Sequence, residues 1–244
     1  MTQSQSRPVA IVTGASRGFG RALTAALLGR GWAVVADARR GADLKTTARE
    51  FNSAGLIALP GNVTDVSHRD ALVAAAVQAG PLRLLVNNAS RLGPSPQPAL
   101  ADYPPGELRA VYEANVFAPL ALIQAALPAL RDNAGVIVNL TSDAAVEAYP
   151  GWGGYGSSKA ALDQLSAVLA AEVSATSDGP AVPVYAFDPG DMRTEMHQAA
   201  FPGEDISDRA EPESVVPALL RLLDTRPAAG RYRSADLAPS GVQR

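Results

Sequence analysis

Short apolar runs alternate along the chain with longer segments in which apolar residues recur at helical spacing. A run of four to six apolar residues predicts a strand, and apolar positions three or four apart predict a helix. The predicted strands are Pro8–Thr13, Ala33–Asp37, Leu56–Leu59, Leu82–Asn87, Gly135–Leu140, Val182–Phe187 and a weak last strand, Gly230–Ala235. The predicted helices are Gly18–Arg30, Ala42–Ala54, Ser67–Ala79, Pro105–Arg131, Gly154–Ser174 and Glu213–Asp224.

Strands that alternate with helices predict βαβ units and therefore a parallel sheet. Because crossovers between parallel strands are right-handed, the expected fold is a Rossmann-like, doubly wound α/β sheet of about seven strands, with helices on both faces. No repeat or break in composition divides the chain, so residues 1–244 are expected to form one domain. The segments Gly93–Pro98 and Ser174–Pro183 are predicted loops.

Composition narrows the possible functions. Hydrophobic residues make up 47% of the 244 residues, the net charge is −3, and no basic stripe is visible, so nucleic acid and anionic membranes are poor partners. The chain has no cysteine, which excludes thiol chemistry, and no metal site is expected. The histidines, His68 and His197, are expected to be exposed. No signal or membrane span is apparent, so we expect a cytoplasmic protein.

A glycine-rich turn joins the first predicted strand to the first helix, with the sequence Thr13-Gly14-Ala15-Ser16-Arg17-Gly18-Phe19-Gly20. Glycine allows a tight turn and lets a pyrophosphate approach the backbone. The start of the helix adds free N–H groups and the positive end of its dipole. Its position between a strand and a helix, at the start of a βαβ unit, makes this segment a candidate dinucleotide site.

The end of the second strand should lie near the adenosine ribose of such a cofactor. Asp37 would accept hydrogen bonds from a free 2′-hydroxyl, whereas Arg39 would bind a 2′-phosphate. Arg17, in the glycine-rich turn, could reach the same phosphate. An alternative is that Asp37 and Arg39 simply pair with each other at the surface. The residues alone leave the choice between NAD and NADP open.

Tyr155 and Lys159 lie four residues apart at the start of a predicted helix, and therefore on one face of it. A nearby ammonium is expected to lower the pKa of the phenol and make it a usable general acid or base. Ser142 follows the fifth strand, at the sheet edge where ligands bind, and could donate a hydrogen bond to a carbonyl oxygen. Alternatively, it is a turn or helix-capping hydroxyl.

At this point the sequence resembles the short-chain dehydrogenase/reductase family, over roughly residues 8–195. No single motif identifies the family, but the full set of motifs does. It comprises Thr13-Gly14-x3-Gly18-x-Gly20, Asn87-Asn88-Ala89, Asn115, Ser142, Tyr155-x3-Lys159 and Pro189-Gly190.

The resemblance implies a role for each catalytic residue. Tyr155 would exchange the proton, and Lys159 would lower the pKa of Tyr155 and hold the nicotinamide ribose. Ser142 would orient the substrate oxygen, and Asn115 would help to hold a water that links Lys159 to solvent. The implied cofactor contacts are Gly14, Ser16, Arg17, Gly18, Phe19, Gly20, Asp37, Arg39, Asn62, Val63, Asn88, Ala89, Tyr155, Lys159, Pro189, Gly190, Met192 and Thr194.

The resemblance also bears on the cofactor. Members of the family that prefer NAD usually carry the acid where this chain has Ala38, and Arg17 and Arg39 match the basic positions of members that prefer NADP. We therefore expect NADP(H) to be favoured over NAD(H). The chain departs from the family at Ser90, where glycine is usual, and in the tail after Gly230, which lacks the usual glycine-rich ending.

Substrate specificity is expected in three segments, Ser90–Ala101, Asp143–Gly154 and Asp191–Asp208, the last of which is a candidate lid. Asp143, Trp152 and Met196 are candidate substrate contacts. The expected activity is that of a ketoreductase acting on a small carbonyl or alcohol compound, as a homodimer or homotetramer. Two alternatives stay open: a non-catalytic NAD(P)-binding sensor or scaffold, and a redox-neutral lyase, isomerase or cyclase.

Overall fold

The computed structural model describes residues 7–174 and 180–237. Its strands are β1 (Val9–Val12), β2 (Ala33–Ala38), β3 (Leu56–Pro60), β4 (Leu82–Asn87), β5 (Val136–Leu140), β6 (Val184–Asp188) and β7 (Gly230–Arg233). They form one parallel sheet in the order β3-β2-β1-β4-β5-β6-β7. The chain winds outward from β1 to one edge, returns to β4 and winds outward to the other. This order confirms the predicted doubly wound sheet.

Helices cover both faces of the sheet, as the βαβ pattern requires. The predicted loop Ser174–Pro183 lies partly outside the described residues. The helices are α1 (Gly18–Gly29), α2 (Gly41–Phe51), α3 (Val66–Ala79), α4 (Pro105–Tyr112), α5 (Ala118–Asp132), α6 (Gly153–Glu172), α7 (Glu195–Ala200) and α8 (Pro212–Thr225).

The core has two layers, one on each face of the sheet. Val12 and Val138 point to the layer formed with α1 and α8, whereas Ile11 and Ile137 point to the layer formed with α3 and α5. Successive residues of a strand face opposite sides, so a strand covered on both sides needs apolar residues throughout. This is why the central strands are uninterrupted apolar runs in the sequence.

The helix predicted over Pro105–Arg131 is interrupted. A π-helical turn over Glu113–Phe117 separates α4 from α5 and holds Asn115, which is fully buried. Pro119, four residues after Asn115, has no N–H to donate to the Asn115 carbonyl oxygen, so the regular hydrogen-bond ladder fails there. A π turn of this kind often marks a functional position in a helix.

The stretch Pro105–Asp132 is also long and apolar enough, by length and composition alone, to cross a membrane. Its face containing Leu122, Ile123, Ala126 and Leu130 is buried in the core layer beneath the sheet. This contact accounts for the apolar composition, because a crossover helix of a doubly wound sheet needs an apolar face.

Candidate active site

The glycine-rich turn adopts a backbone that other residues could not follow without strain. Gly14 has φ of +67°, in the left-handed region. A Cβ atom at Gly20 would lie 2.4 Å from the Asn88 side-chain amide and 2.4 Å from the Gly14 carbonyl oxygen. Two of the glycines are therefore required by geometry, and the start of α1 packs directly against the turn.

The start of α1 has the features of an anion site. No side chain caps it, and its first turn contains no acidic residue, so its N–H groups and dipole are free to bind a phosphate. The turn opens into a cleft of about 690 Å³ that continues to Tyr155 and Lys159. A cradle for phosphates next to a long cleft fits a dinucleotide cofactor.

Asn88 and Thr13 join the turn to β4. The Asn88 side-chain amide donates hydrogen bonds to the carbonyl oxygens of Thr13, at 2.7 Å, and Gly14, at 3.1 Å. The Thr13 hydroxyl oxygen accepts the backbone N–H groups of Asn88 and Ala89, at 3.0 and 2.9 Å. Asn88 thus stabilises the turn, in addition to lining the cleft.

Asp37 does not pair with Arg39, although the sequence allowed such a pair as one of two interpretations. Its carboxylate is buried, accepts the Gly14 amide at 2.7 Å through Oδ1, and lies 3.2 Å from His68 Nε2 through Oδ2. His68 was expected to be exposed, but its side chain is only 10% exposed. Both oxygens of Asp37 therefore face protein groups, and the residue holds the glycine-rich turn.

Three arginines stand at the adenosine end of the cleft: Arg17, Arg39 and Arg40. Burial lowers the pKa of Arg17, and repulsion from Arg40 and Arg39 adds to this effect. Arg17 also pairs with Glu195 at the start of α7, and Arg40 lies 3.8 Å from Asp43. A cluster of cations that repel one another favours an anionic ligand between them.

Tyr155 and Lys159 are buried on one face of α6. The ammonium of Lys159 donates to the Leu140 carbonyl oxygen at 2.7 Å and lies 5.4 Å from the centre of the Tyr155 ring. Burial lowers the pKa of Lys159 to about 8. The pKa of Tyr155 is raised overall and not lowered as the sequence led us to expect: burial raises it, and the nearby Ser90 hydroxyl opposes the rise.

Ser142 lies at the end of β5, next to the cleft, with its hydroxyl turned to its own loop. The hydroxyl donates to Asp143 Oδ1 at 2.8 Å and accepts the Ala144 amide at 3.2 Å. The Tyr149 hydroxyl donates to Asp143 Oδ2 at 3.1 Å. Here Ser142 caps a short 3₁₀ turn, the alternative role that its sequence position allowed, and Asp143 orients its hydroxyl.

Asn115 organises the floor of the site from within the π turn. Its amide donates to Ser158 Oγ and to the Arg91 carbonyl oxygen, both at 2.9 Å. Its Oδ1 accepts the Arg91 backbone N–H at 2.7 Å and the Ser90 hydroxyl at 3.2 Å. Asn115 thereby fixes Ser90 beside the Tyr155 phenol. Ser90 was not among the predicted catalytic residues, although its replacement of the usual glycine was a visible signal.

Aromatic side chains pack beside Tyr155, just outside the lining of the cleft. The ring of Trp152 lies 5.8 Å from Tyr155 and 5.7 Å from Phe201, measured between centroids. Met196 packs on the same cluster. His197, expected to be exposed, is 9% exposed and stacks against Phe201, with centroids 4.9 Å apart. The candidate lid thus contains a helix, α7, packed against Trp152.

Most predicted site residues come together in the one cleft, although several lie just outside it. Asn115, Ser142, Asp143 and Trp152 stand behind or beside the lining, and so do Gly20 and Gly190, which shape turns. The predicted residues that line the cleft are Gly14, Ser16, Arg17, Gly18, Phe19, Asp37, Arg39, Asn62, Val63, Asn88, Ala89, Tyr155, Lys159, Pro189, Met192, Thr194 and Met196.

Comparison with known proteins agrees with this geometry. The family model for short chain dehydrogenases matches residues 8–205. A short chain dehydrogenase of Pseudocercospora fijiensis is 38% identical over 197 residues, which are 77% of this chain and 60% of that protein, less than two thirds of its length. The protein therefore belongs to the short-chain dehydrogenase family of oxidoreductases.

Two solved structures extend the match to nearly the whole chain. A short-chain dehydrogenase from Streptomyces avermitilis superposes with a TM-score of 0.80 at 29% identity, covering 95% of this chain and 91% of that one. A Shigella flexneri protein complexed with NADP superposes with a TM-score of 0.83 at 28% identity, covering 93% of this chain and 97% of that one.

Proposed function

We propose that this protein is an NADP(H)-preferring ketoreductase, which reduces a ketone or aldehyde to an alcohol or catalyses the reverse reaction. The observation that carries the proposal is the buried pair Tyr155 and Lys159 in the same cleft as an uncapped helix start and a glycine-rich turn. A phosphate cradle joined to a buried proton donor suits hydride transfer combined with proton transfer.

When bound, the nicotinamide cofactor supplies the hydride that reduces the carbonyl carbon. Tyr155 donates its phenolic proton to the carbonyl oxygen, so that an alcohol forms and a phenolate remains. Rotation of the Ser142 hydroxyl away from Asp143 would let it donate to the same oxygen and orient the substrate. The ammonium of Lys159 stabilises the phenolate, and the network of Asn115 and Ser90 holds the phenol in place.

The preference for NADP rests on charge. Arg17, Arg39 and Arg40 are exposed cations at the adenosine end of the cleft, where a 2′-phosphate would bind between guanidiniums. Asp37 does not compete, because its carboxylate is directed to Gly14 and His68. The similar Shigella flexneri protein that was crystallised with NADP is consistent with this preference.

The decisive test is a screen of ketones, aldehydes and secondary alcohols with NADPH and NADH, followed by the absorbance of the reduced nicotinamide. We expect turnover with at least one carbonyl class and a higher kcat/KM with NADPH. Tyr155→Phe should abolish turnover while cofactor binding and folding persist. The matched control is Tyr232→Phe, since Tyr232 lies on β7 and its hydroxyl donates to the Ala228 carbonyl oxygen.

Two other functions are outcomes of the same screen. Tight cofactor binding with no turnover across the panel would instead support a sensor or scaffold. Product formation without net oxidation of NADPH would support a redox-neutral lyase, isomerase or cyclase. A Tyr155→Phe variant with full activity would contradict the proposed proton transfer in every case.

For the substrate, the cluster of Trp152, Phe201 and Met196 favours a carbonyl compound with an apolar or aromatic group.

We also propose that the protein forms a homodimer or homotetramer. Phe117, beside α5, is 52% exposed, and Val168, on α6, is 44% exposed, so both long helices present apolar surface that a second copy would cover. Analytical ultracentrifugation tests this proposal: a monomer at micromolar concentration would contradict it.

A further inference from the structure

The tail of the chain reaches the catalytic edge of the sheet through one side chain. Arg231, on β7, donates from one terminal nitrogen to the Ser142 carbonyl oxygen at 3.0 Å and to Asp188 Oδ2 at 2.9 Å. Its Nε donates to Asp163 Oδ2 at 3.1 Å. One guanidinium therefore joins the ends of β5 and β6 to helix α6.

Asp163 extends the catalytic face of α6 by one turn. It lies four residues after Lys159 and eight after Tyr155, so the three side chains share one face of the helix. Burial raises the pKa of Asp163, and the nearby Thr141 hydroxyl together with the charges of Arg231 and Lys159 opposes the rise. Thr141 lies between Leu140, which Lys159 binds, and Ser142, which Arg231 binds.

Positive and negative charges are equal in number among the ionisable groups around Arg231. Lys159 and Arg231 contribute two positive charges, and Asp163 and Asp188 contribute two negative charges. Asp163 is 16% exposed and Asp188 is 5% exposed at their side chains, so neither is well solvated. Buried charges of this kind are tolerated when they are paired, and removing one partner is strongly destabilising.

We propose that Arg231 is a positioning residue for catalysis: it holds the backbone of Ser142 and balances the two carboxylates behind Lys159. The inference rests on the proposed function. Arg231 lies beyond the 8–205 segment that the family model matches. A second residue of the same tail, Ser234, donates to the Pro189 carbonyl oxygen at 2.8 Å and so supports the turn next to the cofactor. The atypical tail is therefore part of the catalytic scaffold.

The test compares Arg231→Met with Arg233→Met. Arg233 lies two residues along the same strand, is 62% exposed at its side chain and pairs with Asp236, so it is a matched control. We expect kcat to fall on the order of 10- to 100-fold in Arg231→Met, because a small displacement of catalytic groups has effects of this size. The dissociation constant for NADPH, measured by fluorescence, should stay unchanged. Arg233→Met should match the wild type.

A structural readout separates this inference from the proposed function. In Arg231→Met, amide hydrogen exchange should become faster in the peptide that contains Ser142, but not in Arg233→Met. Loss of Arg231 should raise the pKa of Asp163 further, because the Arg231 charge no longer opposes the effect of burial. The loss of Tm should therefore grow as the pH rises from the usual carboxyl pKa through the raised pKa of folded Asp163, and then level off.

Arg231→Lys keeps the charge but lacks the planar guanidinium fork that reaches all three oxygens, so it should recover Tm more than kcat. It also provides the test if Arg231→Met fails to fold. An Arg231 variant that matches Arg233→Met in both amide exchange and Tm would overturn the proposed network. An unchanged kcat would overturn the positioning role, and so would a loss of kcat that only follows a loss of NADPH affinity. Absence of turnover in the wild type would count against the proposed function only, since exchange and Tm still test Arg231.

Discussion

The Asp37 carboxylate accepts the Gly14 amide at 2.7 Å and so ties the end of β2 to the glycine-rich turn. Asp37→Ala should therefore weaken NADPH and NADH binding alike, and lower the free energy of unfolding by about 1–3 kcal/mol, because the partly buried Gly14 amide loses its partner. Fluorescence titration with both cofactors measures the effect, with Asp70→Ala, an exposed residue of α3, as control. A loss confined to NADH would instead mean that Asp37 binds the ribose.

Arg39 is exposed at the adenosine end of the cleft, and its removal tests the choice of cofactor. Arg39→Ala should weaken NADPH binding on the order of 10- to 100-fold, since one charge-assisted hydrogen bond contributes about 1.5–3 kcal/mol. NADH binding should hardly change. Arg49→Ala, on the exposed side of α2, is the control. Equal losses for both cofactors would contradict a 2′-phosphate contact.

Lys159 should make the stability of the cofactor-free protein depend on pH. Its pKa is lowered by burial from 10.5 to about 8, so between these values the unfolded chain holds a proton that the folded protein does not. Stability from this group should then rise with pH from about 8 to 10.5. Urea unfolding at several pH values should show the rise in the wild type and in the exposed-residue control Lys45→Met, but not in Lys159→Met.

Ser90 should tune the pH at which Tyr155 exchanges its proton. When the Ser90 hydroxyl donates to the phenolate instead of to Asn115 Oδ1, it lowers the pKa of Tyr155 against the larger effect of burial. Ser90→Ala should therefore shift the rise of the alcohol-oxidation rate to higher pH, and reduce kcat at neutral pH about fivefold, as expected from one hydrogen bond of about 1 kcal/mol. An unchanged pH profile, identical to that of the exposed Ser157→Ala, would show that Ser90 does not act on Tyr155.

The sheet could be predicted because its strands are buried on both faces, which leaves apolar runs such as Val9–Val12 and Val136–Leu140 in the sequence. All seven strands were expected within a residue or two of their observed bounds. The break in the long helix at Glu113–Phe117 was not expected, because a π turn leaves no signature in apolar spacing. Pro119 is visible in the sequence, but a proline does not by itself show which kind of turn interrupts the helix.

The sequence predicted which residues form the candidate site better than it predicted the contacts between them. Gly14, Tyr155 and Lys159 follow from motifs with fixed spacing. The partners of Asp37 and Arg231 depend on side chains from distant elements, His68 and Asp163, and no local pattern encodes such pairs. The pKa of Tyr155 depends on how completely the phenol is enclosed, which is a property of tertiary packing that no local sequence pattern encodes.

The π turn that holds Asn115 also suggests how such a site can arise in evolution. A π turn contains one residue more than the α-helical turn it replaces. In a regular α-helix a single inserted residue would rotate everything after it by about 100° relative to the preceding helix. A π turn absorbs the extra residue locally. One added codon would thus be enough to carry an asparagine from the flank of a helix to the floor of a neighbouring cleft, while the apolar face of α5 regains its place on the sheet.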